Sequence, residues 1–325
     1  MLQSDRRFHL GLFYKMIILN IRMVSVMFRD NDVICFLGDS ITAGGLWMGE
    51  VYQVLRKKYK LRCFNCGVSG GAASRAVRYL HANCLIYNPD YVVINFGVND
   101  SGSWLLSKTH EHVSDKKEQL DKFFNIHKEC YESIVKECTE RGVKVIIALP
   151  VPYDEISDFE TENRKCQFLL DRIADFQKEL AVKYDCTVVD FSTPFKERLG
   201  KAPVIREDRI HPTPFGYHAM AQIFLRDTGE ISECDFDTPF EFEPWNLERY
   251  NAEQILHKIN YVEYCDLFEL GWAMGTSSEE KKKIARERYD KREIKDDFIS
   301  LAYLEYIDKN DNRAKLIGDV VRLTI

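Results

Sequence analysis

Four short stretches place chemically active side chains beside glycine, at points where an apolar run ends. They are Gly38-Asp39-Ser40-Ile41-Thr42-Ala43-Gly44-Gly45, Asn65-Cys66-Gly67-Val68-Ser69-Gly70-Gly71, Gly97-Val98-Asn99-Asp100 and Asp208-Arg209-Ile210-His211, the last followed by Pro212. The first is a strand-to-helix turn that puts the Ser40 hydroxyl at a helix N-terminus, where partial positive charge favours a developing anion; an ordinary N-cap serine would look the same. The glycines of the second let backbone N–H groups approach a ligand closely. Asn99 in the third adds an amide donor. In the fourth, a carboxylate stands three residues before an imidazole, near enough to orient the ring.

Strands and helices must bring these stretches together. Short β-rich runs at 33–37, 61–66, 91–96, 143–149 and 186–190 alternate with helical patterns near 49–59, 72–81, 119–141, 162–184 and 215–225. Strands with little polar alternation, separated by helices, predict a parallel sheet covered on both faces, a three-layer α/β/α domain. In such a sheet, ligands bind outside the carboxyl ends of the strands, where all four stretches fall. Ser40 lies in a Gly-rich turn that lacks both a Walker lysine and the spacing G-x-G-x-x-G, so nucleotide binding is not expected there.

In order, these motifs resemble those of the GDSL, or SGNH, hydrolase family: G-D-S after the first strand, a glycine in the next loop, G-x-N-D after the third strand and D-x-x-H near the end. The match covers roughly residues 33–225. The resemblance implies a flavodoxin-like five-stranded sheet and a serine esterase working without metal or cofactor. It makes Ser40 the nucleophile, His211 the general base and Asp208 the residue that orients it. The oxyanion hole would consist of the backbone N–H groups of Ser40 and Gly70 and the side-chain amide of Asn99. These roles are chemically consistent, because a serine hydroxyl attacks only when a base removes its proton, and histidine titrates near neutrality. Asp39, Trp47 and Trp104 are expected to contact substrate, the tryptophans as stacking surfaces for a sugar ring. The expected substrate is a short-chain, acetyl-type ester of a carbohydrate. Lysophospholipase, thioesterase or acyltransferase activity is the alternative within the family, and a non-catalytic binding module is the alternative outside it.

Within the same sequence, Gly67-Val68-Ser69-Gly70-Gly71 also fits the G-x-S-x-G elbow of α/β-hydrolases, with Ser69 attacking and Asp190 or Asp208 as the acid. Only one clear strand precedes it and no H-G-G-G segment appears, so Ser40 is preferred. Asp190, ending the fifth strand, is an alternative partner for His211 or a cap. His110 and His112 fall in a polar run without further metal ligands. Cys63 and Cys66 have C-x-x-C spacing but no second pair.

With 45 Lys plus Arg against 51 Asp plus Glu, the net charge of −6 argues against a generally basic nucleic-acid binder. No apolar run approaches the roughly 20 residues of a membrane-spanning helix. Ten cysteines dispersed over 325 residues read as free thiols of a cytoplasmic protein. Residues 1–27 read as an N-terminal extension. Their basic start and apolar continuation have the outline of a secretory signal, the basis of a secreted alternative, but Arg22 interrupts the apolar stretch and no small-x-small site follows. Residues 28–225 read as the hydrolase domain and 226–325 as a mostly helical extension that could close a homodimer.

Overall fold

The computed structural model describes residues 27–241. The expected N-terminal extension, apart from Met27, and the helices of the C-terminal extension with their dimer interface lie outside the described residues. Five strands form one sheet: β1 (Val33–Gly38), β2 (Arg62–Gly67), β3 (Tyr91–Asn95), β4 (Lys144–Ala148) and β5 (Thr187–Val189). Their order is β2-β1-β3-β4-β5, and each neighbouring pair is parallel. The helices are α1 (Ser40–Ala43), α2 (Leu46–Arg56), α3 (Ala73–Asn83), α4 (Lys116–Glu140), α5 (Gln167–Lys183), α6 (Ser192–Arg198) and α7 (Pro214–Asp227). This is the three-layer α/β/α arrangement that the alternation of strands and helices predicts, in the flavodoxin-like strand order that the resemblance implies.

Successive strand residues point to opposite faces of the sheet. Ile34 and Phe36 therefore join Trp47, Tyr52 and Phe224 of α2 and α7 in one layer, while Cys35 and Leu37 join Tyr79, Tyr131 and Ile134 of α3 and α4 in the other. Every residue of β1 and β3 is buried, as expected for central parallel strands. The same alternation separates Cys63 from Cys66. They stand three residues apart on β2 and enter opposite layers, so the C-x-x-C spacing forms no redox pair.

Three local differences from the sequence reading have identifiable causes. Helix α2 begins at Leu46 instead of residue 49, because Gly45 takes a left-handed φ of 72° and turns the chain directly out of α1. The helical pattern from 162 becomes a helix only at Gln167, since Glu162 accepts the Lys108 N–H and Lys165 has a φ of 50°. Helix α6, absent from the sequence reading, starts where Asp190 accepts the N–H and hydroxyl of Thr193 at 2.9 and 2.7 Å. Past α7, the chain up to residue 241 has no helix or strand and lies back on the domain. Lys58 pairs with Glu230 at 3.2 Å, and the Arg198 guanidinium sits 3.8 Å from the centre of the Phe236 ring.

Candidate active site

The loops after β1 and β3 leave neighbouring strands at the point where the strand order reverses, which opens a crevice at the sheet's carboxyl edge. Ser40 stands at its start. Asp39 caps α1 by accepting the Ile41 N–H at 2.9 Å, and Ser40 is the first residue of that helix. A Cβ on Gly67 would fall 2.3 Å from the Ala43 backbone nitrogen, so glycine at the end of β2 is what allows α1 to lie against it.

From the other side, His211 reaches Ser40. Its Nε2 is 2.8 Å from Ser40 Oγ, and its Nδ1 is 2.7 Å from Asp208 Oδ2. Asp208 is fixed in turn, because its Oδ1 accepts the N–H groups of Ile210 and His211 at 2.9 and 2.8 Å. Partial burial works against its charged form, but these two N–H groups and the imidazole outweigh it and hold the carboxyl below its ordinary value. Asp190, spent on capping α6, is not the partner of His211.

Arg209 anchors this turn, and sequence reasoning missed it. Its φ of 67° is unusual for a residue with a side chain. The conformation is held because the buried guanidinium donates to the carbonyls of Asp154, Ser157, Phe159 and Thr161 at 2.9 to 3.0 Å. An arginine between the two residues of D-x-x-H is a weak signal, since most arginines are exposed. Just after His211, Thr213 caps α7 by accepting the Gly216 N–H at 3.1 Å, with Pro214 in the first turn.

Gly70 has a left-handed φ of 71°, and the Asn99 amide donates to the Gly71 carbonyl at 2.8 Å, linking the second and third loops. Beside them opens a cavity of about 400 Å³ lined by Gly70, Arg75, Asn99 and Trp104. Trp104 is 42% exposed, with His110 and Phe123 set edge-on against it. His110 also bonds to Ser107 at 2.9 Å, so it packs locally.

Two expected substrate contacts are corrected. Trp47 is fully buried between Phe36, Phe191 and Phe224, because α2 begins early enough to turn it into the core. Asp39 is 2% exposed, with its side chain directed into the cap instead of the crevice. Ser69 is exposed in a turn, whereas the imidazole of His211 faces Ser40. Sequence reasoning also missed a group of three buried thiols, Cys35, Cys66 and Cys84, whose sulfurs lie within 4.8 Å of one another. Burial pushes the Cys35 and Cys66 thiols well up, and the hydrogen bond with Cys35 does the same for Cys84. The trio sits in the apolar layer with Leu37, Tyr79 and Leu80.

Burial pushes the Asp39 carboxyl up to about 7; the Ile41 N–H opposes this and the charge of Asp100 adds to it. The unfolded chain releases this proton near 3.8, so stability declines as pH rises from there to about 7 and is level above. Asp39→Asn keeps the cap acceptor and removes the ionisation. At pH 8 it is expected to stabilise the fold by up to about 4 kcal/mol, with a smaller gain at pH 5. Urea unfolding at both pH values checks this, and an equal gain at both would contradict it.

Residues 36–219 match the model of the GDSL-like Lipase/Acylhydrolase family, more than half of the chain. The chain belongs to this family. The acylhydrolase is accordingly a carboxylic ester hydrolase with an SGNH-type fold. It is 26% identical over 220 residues to the acetylxylan esterase of Geobacillus stearothermophilus, a match covering 62% of this chain and 95% of that protein. A crystal structure of an acetylxylan esterase from that organism superposes with a TM-score of 0.53 at 20% identity, covering 62% of this chain and 96% of the other. A gut microbial diltiazem-metabolizing enzyme superposes with a TM-score of 0.56 at 25% identity over 62% of this chain. Of that larger enzyme the acylhydrolase spans about half, 48%.

Proposed function

We propose that the acylhydrolase removes short acyl groups, acetyl above all, from a carbohydrate through an acyl-enzyme on Ser40. The observation that carries this reading is the continuous chain from Ser40 Oγ to His211 Nε2 at 2.8 Å and from His211 Nδ1 to Asp208 Oδ2 at 2.7 Å. His211 takes the Ser40 proton as Oγ attacks the ester carbon, and Asp208 stabilises the imidazolium that results. The carbonyl oxygen, negative in the tetrahedral intermediate, is received by the Ser40 and Gly70 backbone N–H groups and by Asn99, whose amide has a second N–H beyond the one bonded to Gly71. His211 then protonates the departing alcohol, and the same ring activates the water that releases the acid.

The acetylxylan esterase relative supports acetyl and carbohydrate as the two halves of the substrate. In that organism's esterase, catalytic mutants replace a serine, an aspartate and a histidine, the last two spaced as Asp208 and His211 are here. Trp104, exposed beside Asn99, supplies a face on which a sugar ring stacks. The described cysteines are free of disulfides, which supports a cytoplasmic setting.

Hydrolysis of p-nitrophenyl acetate, butyrate and octanoate, together with acetylated xylooligosaccharides, tests the reading. Acetate is expected to be the best of the three simple esters. Trp104→Ala is expected to raise KM for the oligosaccharide about tenfold, a loss of about 1.4 kcal/mol of stacking, with p-nitrophenyl acetate unaffected. Asn99→Ala is expected to lower kcat on all substrates about 100- to 1,000-fold. Preference for octanoate, or equal effects of Trp104→Ala on both substrate types, would refute the carbohydrate assignment.

A further inference from the structure

Asp100 and His127 are 5% and 1% exposed, and neither belongs to the proposed triad. Asp100 follows Asn99 directly, and its Oδ1 accepts the N–H of Ala73, the first residue of α3 and three residues past Gly70, at 2.8 Å. His127, from the middle of α4, brings Nδ1 to 3.0 Å from the same carboxylate oxygen, a close electrostatic contact whose angles are not those of a hydrogen bond. Its Nε2 is 3.5 Å from the side-chain nitrogen of Gln177, and that nitrogen also donates to the Phe96 carbonyl at 2.9 Å. An amide nitrogen only donates, so His127 Nε2 is the acceptor in this contact.

A buried cluster of polar groups thus extends from the start of α3 through Asp100, His127 and Gln177 to Phe96, just past β3. It joins the loop bearing Gly70 to the loop bearing Asn99 from beneath, while the bond from Asn99 to Gly71 joins them at the surface. Among the described residues, Asp100 Oδ2, His127 Nδ1 and Gln177 Oε1 have no hydrogen-bond partner. A buried ionisable pair with one oxygen unmatched is less stabilising than a well-packed apolar pair, so stability alone accounts poorly for it.

We propose that Asp100, held by His127, is a positioning residue that sets the distance between the Gly70 N–H and the Asn99 amide. The proposal rests on the reading of these two groups as oxyanion donors. Asp100 touches no reacting atom. Its contribution is realised only when the carbonyl oxygen becomes negative, which places the effect in kcat and not in KM.

The test uses Asp100→Ala, Asp100→Asn and His127→Gln in the full chain, with active sites counted by fluorophosphonate titration and p-nitrophenyl acetate as substrate. Asp100→Ala is expected to lower kcat per titrated site about 100-fold, close to the loss of one donor, with KM changed less than about threefold. Asp100→Asn, whose Oδ1 still accepts the Ala73 N–H, restores kcat to within about fivefold of the parent. His127→Gln costs about tenfold, and the pH midpoint of kcat/KM stays fixed in every variant, because Asp208 and His211 are untouched. Unchanged kcat per site in Asp100→Ala, or Asp100→Asn no better than alanine, would overturn the proposal. Should Asp100→Ala not fold, His127→Gln decides, and parent-like kcat there overturns it as well. Failure of the underlying Ser40 reading appears separately, as a parent protein that takes up no probe.

Discussion

Ser40→Ala is expected to lower kcat for p-nitrophenyl acetate by about 10⁵-fold while the protein keeps its fold and thermal midpoint. The size follows from the geometry. Without Oγ, His211 Nε2 loses the group 2.8 Å away whose proton it is placed to accept, no covalent intermediate forms, and only donors and binding remain to assist water. Stability is spared because, among the described residues, Ser40 Oγ bonds to His211 alone, while the cap that starts α1 comes from Asp39. Ser69→Ala is the matched control. Its hydroxyl sits in an exposed turn away from the imidazole's hydrogen bonds, and activity within about twofold of the parent is expected. Loss of activity in Ser69→Ala, with Ser40→Ala still active, would transfer the reaction to the second loop.

Replacing the acid is expected to have the next largest effect. Asp208→Ala should lower kcat about 10⁴-fold, since an imidazole without its carboxylate loses both the correct tautomer and the stabilisation of its cation. Here the carboxylate also accepts the Ile210 and His211 N–H groups, so its removal loosens the turn that aims the ring. Asp190→Ala separates this account from its competitor. Asp190 caps α6 through Thr193, and loss of a cap costs about 1 kcal/mol of stability with little change in kcat. Comparing kcat with urea midpoints for both variants checks the pair. A larger loss of kcat in Asp190→Ala than in Asp208→Ala would contradict the assignment.

The sequence made the sheet legible because central parallel strands such as β1 and β3 are buried throughout and read as unbroken apolar runs. Ser40, Asn99, Asp208 and His211 were legible for a related reason: each occupies a loop that the strand pattern sends to one edge. Features that depend on packing were hidden. Trp47 and Trp104 both stand near site loops in the sequence, yet one is enclosed by three aromatic rings and the other faces a cavity. The difference arises because Gly45 turns the chain early, and spacing alone does not encode the angle of that turn. Asp39 shows the same limit, because a polar residue beside a nucleophile reads as a contact until the cap geometry buries it. Arg209 and His127 are legible only in three dimensions, where segments distant in sequence supply their partners.

The most direct measurement is peptide mass spectrometry of the intact protein after reaction with a fluorophosphonate, which bonds covalently to a serine whose proton a neighbouring base can take. The phosphonyl group is predicted on Ser40, with none on Ser69 and none on any serine of Ser40→Ala. A phosphonyl group on Ser69, or no labelled serine in a protein that hydrolyses p-nitrophenyl acetate, would contradict the assignment of Ser40 as the nucleophile.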